Sequence, residues 1–127
     1  MLQLLTRVNI ADNSGVIKGR IIKVLTPKNS KLAQIGSLVL ISSKAIIKNS
    51  GILPGTKFSA LVIRSKYRFN SFNYNITKDE NSVVLVKLSP KQNEFLPIGT
   101  RIKGPICNKL FQLTGYQKVL ALAKYVI

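Results

Sequence analysis

Between Pro97 and Pro105 the chain reads Pro-Ile-Gly-Thr-Arg-Ile-Lys-Gly-Pro, and no other stretch restricts its fold as tightly. In an extended segment side chains alternate, so Thr100 and Ile102 share one face while Arg101 and Lys103 share the other. One face can be buried and the other carries two positive charges. Gly99 and Gly104 permit sharp or positive-φ turns, and Pro97 and Pro105 cannot donate to a ladder, so the strand is expected to be short with hard turns beyond it. The residue pattern also changes here. Upstream it is that of strands, and from about Ile106 onward it is helical.

The upstream part divides into five further strands. Leu2 to Ile10 is expected to place Leu4, Thr6, Val8 and Ile10 on one face, and Asp12-Asn13-Ser14-Gly15 stops it with side chains that bond nearby amides and a glycine that accepts positive φ. This motif is either a turn chosen for geometry or a turn that also offers the side chains of Asn13 and Ser14 to a partner. Val16 to Leu25 is the second strand, set with Lys18, Arg20 and Lys23, and a loop carrying Lys28 and Lys31 follows. Leu38 to Ile47 is the third, interrupted by Ser42-Ser43-Lys44, with Lys48 at the turn that ends it. Thr56 to Lys66 is the fourth; it is apolar on both sides, which marks a central strand of a closed sheet. Ser82 to Leu88 is the fifth, and 89–96 reads as a polar loop.

From Arg64 to Phe69 an extended chain sets Arg64, Lys66 and Arg68 on one face and Tyr67 and Phe69 on the other, with Phe72 and Tyr74 close behind. The aromatics either stack on unpaired bases or pack across a hairpin while the basic face meets phosphate, and the second reading is favoured. Beyond Pro105, Cys107 to Leu113 and Gln117 to Val126 have helical spacing, with Gly115 between them. The architecture expected is a mainly β, small closed five-stranded antiparallel barrel with short C-terminal helices: one domain over 1–127, strands over about 2–104 and a helical part over about 106–127.

Twenty Lys and Arg stand against four Asp and Glu, a net charge of +16. Such a charge repels itself unless a polyanion compensates it, and nucleic acid or an anionic membrane are the usual sources. The longest apolar runs, such as Leu38–Ile41 and Val83–Val86, fall far short of the roughly 20 residues a membrane-spanning helix needs. No cofactor is expected. The chain has no histidine, its one cysteine lacks metal-binding company, and its glycines form no phosphate-cradling motif. Asp79 and Glu80 are the only neighbouring acids, and adjacent side chains diverge in an extended chain. These features argue against an enzyme, and Cys107 is expected to be a small core residue.

Asn9-Ile10-Ala11-Asp12-Asn13-Ser14-Gly15 and Ile98-Gly99-Thr100-Arg101-Ile102-Lys103-Gly104-Pro105 together resemble the two most distinctive segments of the ribosomal protein L-fourteen family of the large subunit. Matches at Ile22–Leu25, Val62–Lys66 and Val83–Val86 extend the resemblance over nearly the whole chain. The resemblance implies a structural constituent that binds large-subunit rRNA at the subunit interface and touches small-subunit rRNA in a bridge. Its neighbours would be proteins L-three and L-nineteen, and in bacteria and organelles a ribosome-silencing factor. It also implies that Thr100 and Arg101 lie at an interface or factor-docking surface, although alternation alone points Thr100 inward with Ile102. RNA contacts are expected at Asn13, Ser14, Lys18, Lys23, Lys28, Lys31, Lys44, Lys48, Arg64, Lys66, Arg68 and Lys103. The rival reading is a free single-stranded nucleic-acid-binding protein. The match begins almost at Met1, and Lys, Ile and Asn are abundant, as A/T-rich genes favour. Local synthesis for a mitochondrial ribosome is therefore expected, with plastid or bacterial cytoplasm as alternatives.

Overall fold

The computed structural model describes residues 2–26, 32–48, 51–64, 81–89, 94–106, 108–113 and 115–126. The elements run β1 (Leu2–Gln3), β2 (Arg7–Ile10), β3 (Val16–Thr26), β4 (Leu32–Ala33), β5 (Leu38–Ile46), β6 (Lys57–Arg64), β7 (Ser82–Ser89), β8 (Glu94–Pro97), β9 (Ile102–Ile106), a 3₁₀ turn at Asn108–Gln112, α1 (Gln117–Leu120) and β10 (Ala123–Val126). The main sheet has the order β2-β3-β5-β6-β7-β8, and β2 also pairs with β7. Five of these strands therefore close on one another in a ring.

The expected closed five-stranded antiparallel barrel with C-terminal helices is overturned. The structure is a mixed β topology: β2 meets β7 in parallel, with Asn9 opposite Ser82 and Ile10 opposite Val83, and β8 adds a sixth strand beyond the ring. Parity explains the parallel closure. When five strands alternate in direction, the first and last point the same way, so the pair that closes the ring cannot be antiparallel. Two small ladders lie outside it, β1 with β4 antiparallel and β9 with β10 parallel.

Alternation along β6 and β7 produces two cores. Ala60, Val62, Val83 and Leu85 point into the ring with Val8, Ile21, Val39 and Ile41. Leu61, Ile63, Val84 and Val86 point outward, where Ile102, Ile106, Leu110, Val119 and Leu120 cover them. Both faces of β6 are apolar because both are buried, one inside the ring and the other beneath the C-terminal segment.

Several boundaries differ from the sequence reading. Leu5 has φ 66 and its amide donates to the Ile21 carbonyl at 2.7 Å, so the chain breaks between β1 and β2 and Leu4 lies exposed instead of alternating inward. The stretch expected to be a polar loop contains β8, which pairs with the end of β7 from Val86–Pro97 to Ser89–Glu94. The strand expected to end before Gly104 begins at Ile102 and continues to Ile106. Gly104, at φ 79, takes up the extra residue where Ile102 pairs with Ala123 and Pro105 with Tyr125, so the chain bulges and keeps its ladder. The helical spacing after Gln117 yields a single four-residue helix without a side-chain cap. So short a helix has little stability of its own, and pairing with β9 draws Ala123–Val126 into a strand.

Candidate nucleic-acid interface

The turn after β2 and the segment before β9 form one structure. Asp12 is buried. Its Oδ1 accepts from the Ser14 amide at 3.1 Å and the Ser14 hydroxyl at 2.6 Å, and its Oδ2 accepts from the Leu85 amide at 3.0 Å. One carboxylate therefore shapes the turn and pins it to β7. Asn13 reaches across to a segment 87 residues away, its Nδ2 donating to Thr100 Oγ1 at 2.8 Å. Its Oδ1 accepts from the Thr100 amide at 2.7 Å and the Arg101 amide at 3.2 Å. The Lys103 amide donates to the Ala11 carbonyl at 2.6 Å.

Gly99 lies where a side chain has no room: a Cβ would stand 2.8 Å from Asn13 Oδ1 and 3.0 Å from Asp12 Cβ. Its role is close approach, whereas Gly15 has the positive φ, 108, that the turn requires. Asn13 and Ser14, expected to touch RNA, thus direct these polar atoms to partners within the protein. Thr100, which alternation pointed inward, is exposed; Ile102 is buried and Arg101 and Lys103 are exposed. The junction holds this backbone fixed and leaves two cationic side chains outside.

Arg64 departs from expectation. It is only 8% exposed, and its Nη1 donates to the carbonyls of Lys103 at 2.8 Å and Pro105 at 3.0 Å, while Nη2 donates to Ser82 Oγ at 3.2 Å. These carbonyls flank the Gly104 bulge. The guanidinium ties β6 and β7 to β9, so its placement on an outward basic face is corrected: the C-terminal segment covers that face.

Lys18, Lys23, Lys44 and Lys48 are exposed. The register brings Lys18 opposite Ala45, with Lys44 as an extra residue of β5 beside it, so these two lie together while Lys23 sits farther along β3. Lys28, Lys31, Lys66, Arg68, Tyr67, Phe69, Phe72, Tyr74 and Cys107 lie outside the described residues. Charge surplus persists locally. Of the acids among the described residues, Asp12 serves backbone and hydroxyl donors, and Glu94 lies 3.3 Å from Lys118 in an exposed pair. The described residues contain no cluster of acids or cysteine fit to hold a metal ion.

Residues 1–127 match the family model described as ribosomal protein L14p/L23e. Proteins named large ribosomal subunit protein uL14 from Mesomycoplasma hyopneumoniae strains 7448, J and 232 are similar to it, each 36% identical over 128 residues with 100% of both chains covered.

Proposed function

This chain belongs to the ribosomal protein L14p/L23e family, and on that premise we propose that it binds large-subunit rRNA at the subunit interface and contributes to an intersubunit bridge. It is not an enzyme, since proteins of the family are structural components of the ribosome. The observation that carries the proposal is the Asn13–Thr100 junction, which joins the two segments of family resemblance and presents Arg101 and Lys103 on a fixed backbone. A rigid scaffold under exposed cations suits a protein that must meet a partner in one orientation.

The RNA contacts proposed are Lys18, Lys23, Lys44, Lys48 and Lys103, together with Lys28, Lys31, Lys66 and Arg68. Asn13 and Ser14 contribute by shaping the surface. Thr100 and Arg101 form the interface or docking edge, toward small-subunit rRNA or a ribosome-silencing factor, and L-three and L-nineteen are the protein neighbours. The relatives are bacterial, which favours a bacterial cytoplasm over the mitochondrial assignment suggested by residue usage. A free single-stranded nucleic-acid binder would need the aromatic platform of Tyr67, Phe69, Phe72 and Tyr74.

Charge reversal tests the edge. Arg101→Glu should leave folding within about 0.5 kcal/mol of the parent, as surface changes usually do, yet impair subunit joining in a gradient assay. Lys103→Glu should have the smaller effect. Unfolding of the Arg101→Glu protein, or normal joining and translation by ribosomes that carry it, overturns the assignment.

A further inference from the structure

A second basic feature lies at the other end of β2, away from the Asn13–Thr100 junction. The register sets Arg7 of β2 opposite Arg20 of β3, Arg20 opposite Ser42 of β5, and Ser42 opposite Lys57 of β6. Residues directly opposite share a face, and here it is the outer one, because the adjacent Val8, Ile21, Ile41 and Phe58 pack in or against the inner core. Adjacent strands lie about 4.8 Å apart, so the row crosses the sheet over roughly 14 Å. It holds three cations and a hydroxyl.

Two observations set this row apart from ordinary surface charge. Arg7 and Arg20 are like charges directly opposite one another in a ladder, which is destabilising in the free sheet. Arg20 is half-buried, and its Nε is enclosed without a hydrogen-bond partner. Part of a permanently charged group has therefore lost water and gained nothing in return. The acids among the described residues, Asp12 and Glu94, are engaged elsewhere. An external anion removes the repulsion and supplies the missing partner.

We propose that Arg7, Arg20, Ser42 and Lys57 form a seat for the phosphodiester backbone of RNA, an inference that rests on the rRNA-binding reading above. The donor types suit phosphate oxygens: guanidinium forks for bidentate pairing, a hydroxyl, and an ammonium as a point charge. The flanking rows, Asn9–Lys18–Ala45 and Lys23–Leu40–Ser59, contain no aromatic side chain and add two cations. The row therefore reads charge and position rather than bases, and it fixes how RNA lies across the sheet without regard to sequence.

The test is filter binding of the full chain to large-subunit rRNA extracted from the source ribosomes, from about 50 to 200 mM salt. Each phosphate contact contributes about 0.7 to 0.9 to the slope of log affinity against log salt. Arg7→Gln/Arg20→Gln/Lys57→Gln should lower that slope by about 2 to 3, while the charge-matched Lys87→Gln/Lys118→Gln/Lys124→Gln control should hold it near the parent's. If the triple variant fails to fold, Arg7→Gln/Lys57→Gln, which changes only exposed residues, should lower the slope by about 1 to 2. Without RNA, Arg20→Gln should raise the thermal midpoint because the like-charge pair is gone. A steep parental slope that the row variants leave unchanged, or reduce no more than the control does, overturns the seat alone; an acidic protein segment on the row would give that result. A midpoint lowered by Arg20→Gln also overturns it. A parent with no salt-dependent RNA binding removes the rRNA reading and the seat together.

Discussion

At the scale of single residues, the Asp12–Asn13–Gly99 contact is the most sharply determined part of the molecule. Gly99→Ala places a methyl 2.8 Å from Asn13 Oδ1 and 3.0 Å from Asp12 Cβ, and both neighbours are held by their own hydrogen bonds. Overpacking of this kind costs about 1 to 3 kcal/mol, measurable by urea unfolding. Asn13→Ala should cost less, about 0.5 to 1.5 kcal/mol, because water can reach the exposed amides it abandons. Combined, the two should be less harmful than their sum, since Asn13→Ala removes the oxygen nearest the new methyl. Strict additivity would show that the backbone yields before the side chain does. Asp-Asn-Ser-Gly was legible in sequence as a turn because the Asp12–Ser14 bonds that shape it are local. That Asn13 would also hold Thr100 was not legible, since no pattern within either segment encodes a partner 87 residues away.

At the scale of elements, strands with two apolar faces were readable and their pairing directions were not, because alternation records burial and says nothing of which neighbour runs which way. The C-terminal segment shows the complementary failure. Val119, Leu120, Ala123 and Val126 satisfy helical spacing, yet only Gln117–Leu120 is helical, and β9 recruits the rest. The link from this segment to β8 is specific: Tyr116 stacks on Phe95 with ring centroids 4.7 Å apart and planes 4° from parallel, and the Phe95 amide donates to the Gly115 carbonyl at 2.8 Å. Burial pushes the Tyr116 phenol above its ordinary value, so the folded chain holds that proton more tightly than the unfolded chain does. The associated stability is fully present below the unfolded value near 10 and is lost as pH rises through the higher folded value. Thermal midpoints measured from about pH 8 to 11 should therefore fall more steeply for the parent than for Tyr116→Phe, which keeps the stack and loses the titrating group. Parallel profiles would show that the phenol is solvated when folded.

At the scale of the whole molecule, the charge surplus was plain from composition, but its distribution depended on the covering of the sheet. Arg64 followed a pattern that pointed outward, and it became a buried strut because the C-terminal segment packs over β6 and β7; Lys18, Lys44 and Lys103 remain outside. A surface with +16 and few carboxylates is repulsive to itself and attractive to RNA, and salt screens both interactions over a Debye length of about 8 to 10 Å. The two effects have opposite signs. In the free chain, screening relieves repulsion, so the thermal midpoint should rise as salt increases from about 50 to 200 mM. In the complex, the same salt competes with the protein for phosphate, and affinity for rRNA should fall by about 10³ to 10⁵ if six to ten phosphates are contacted. Calorimetry of the free chain and filter binding of the complex, run across one salt series, read the two signs separately. A free-chain midpoint that falls with salt would mean that attractive surface pairs dominate its stability. An affinity insensitive to salt would mean that the exposed lysines do not meet phosphate.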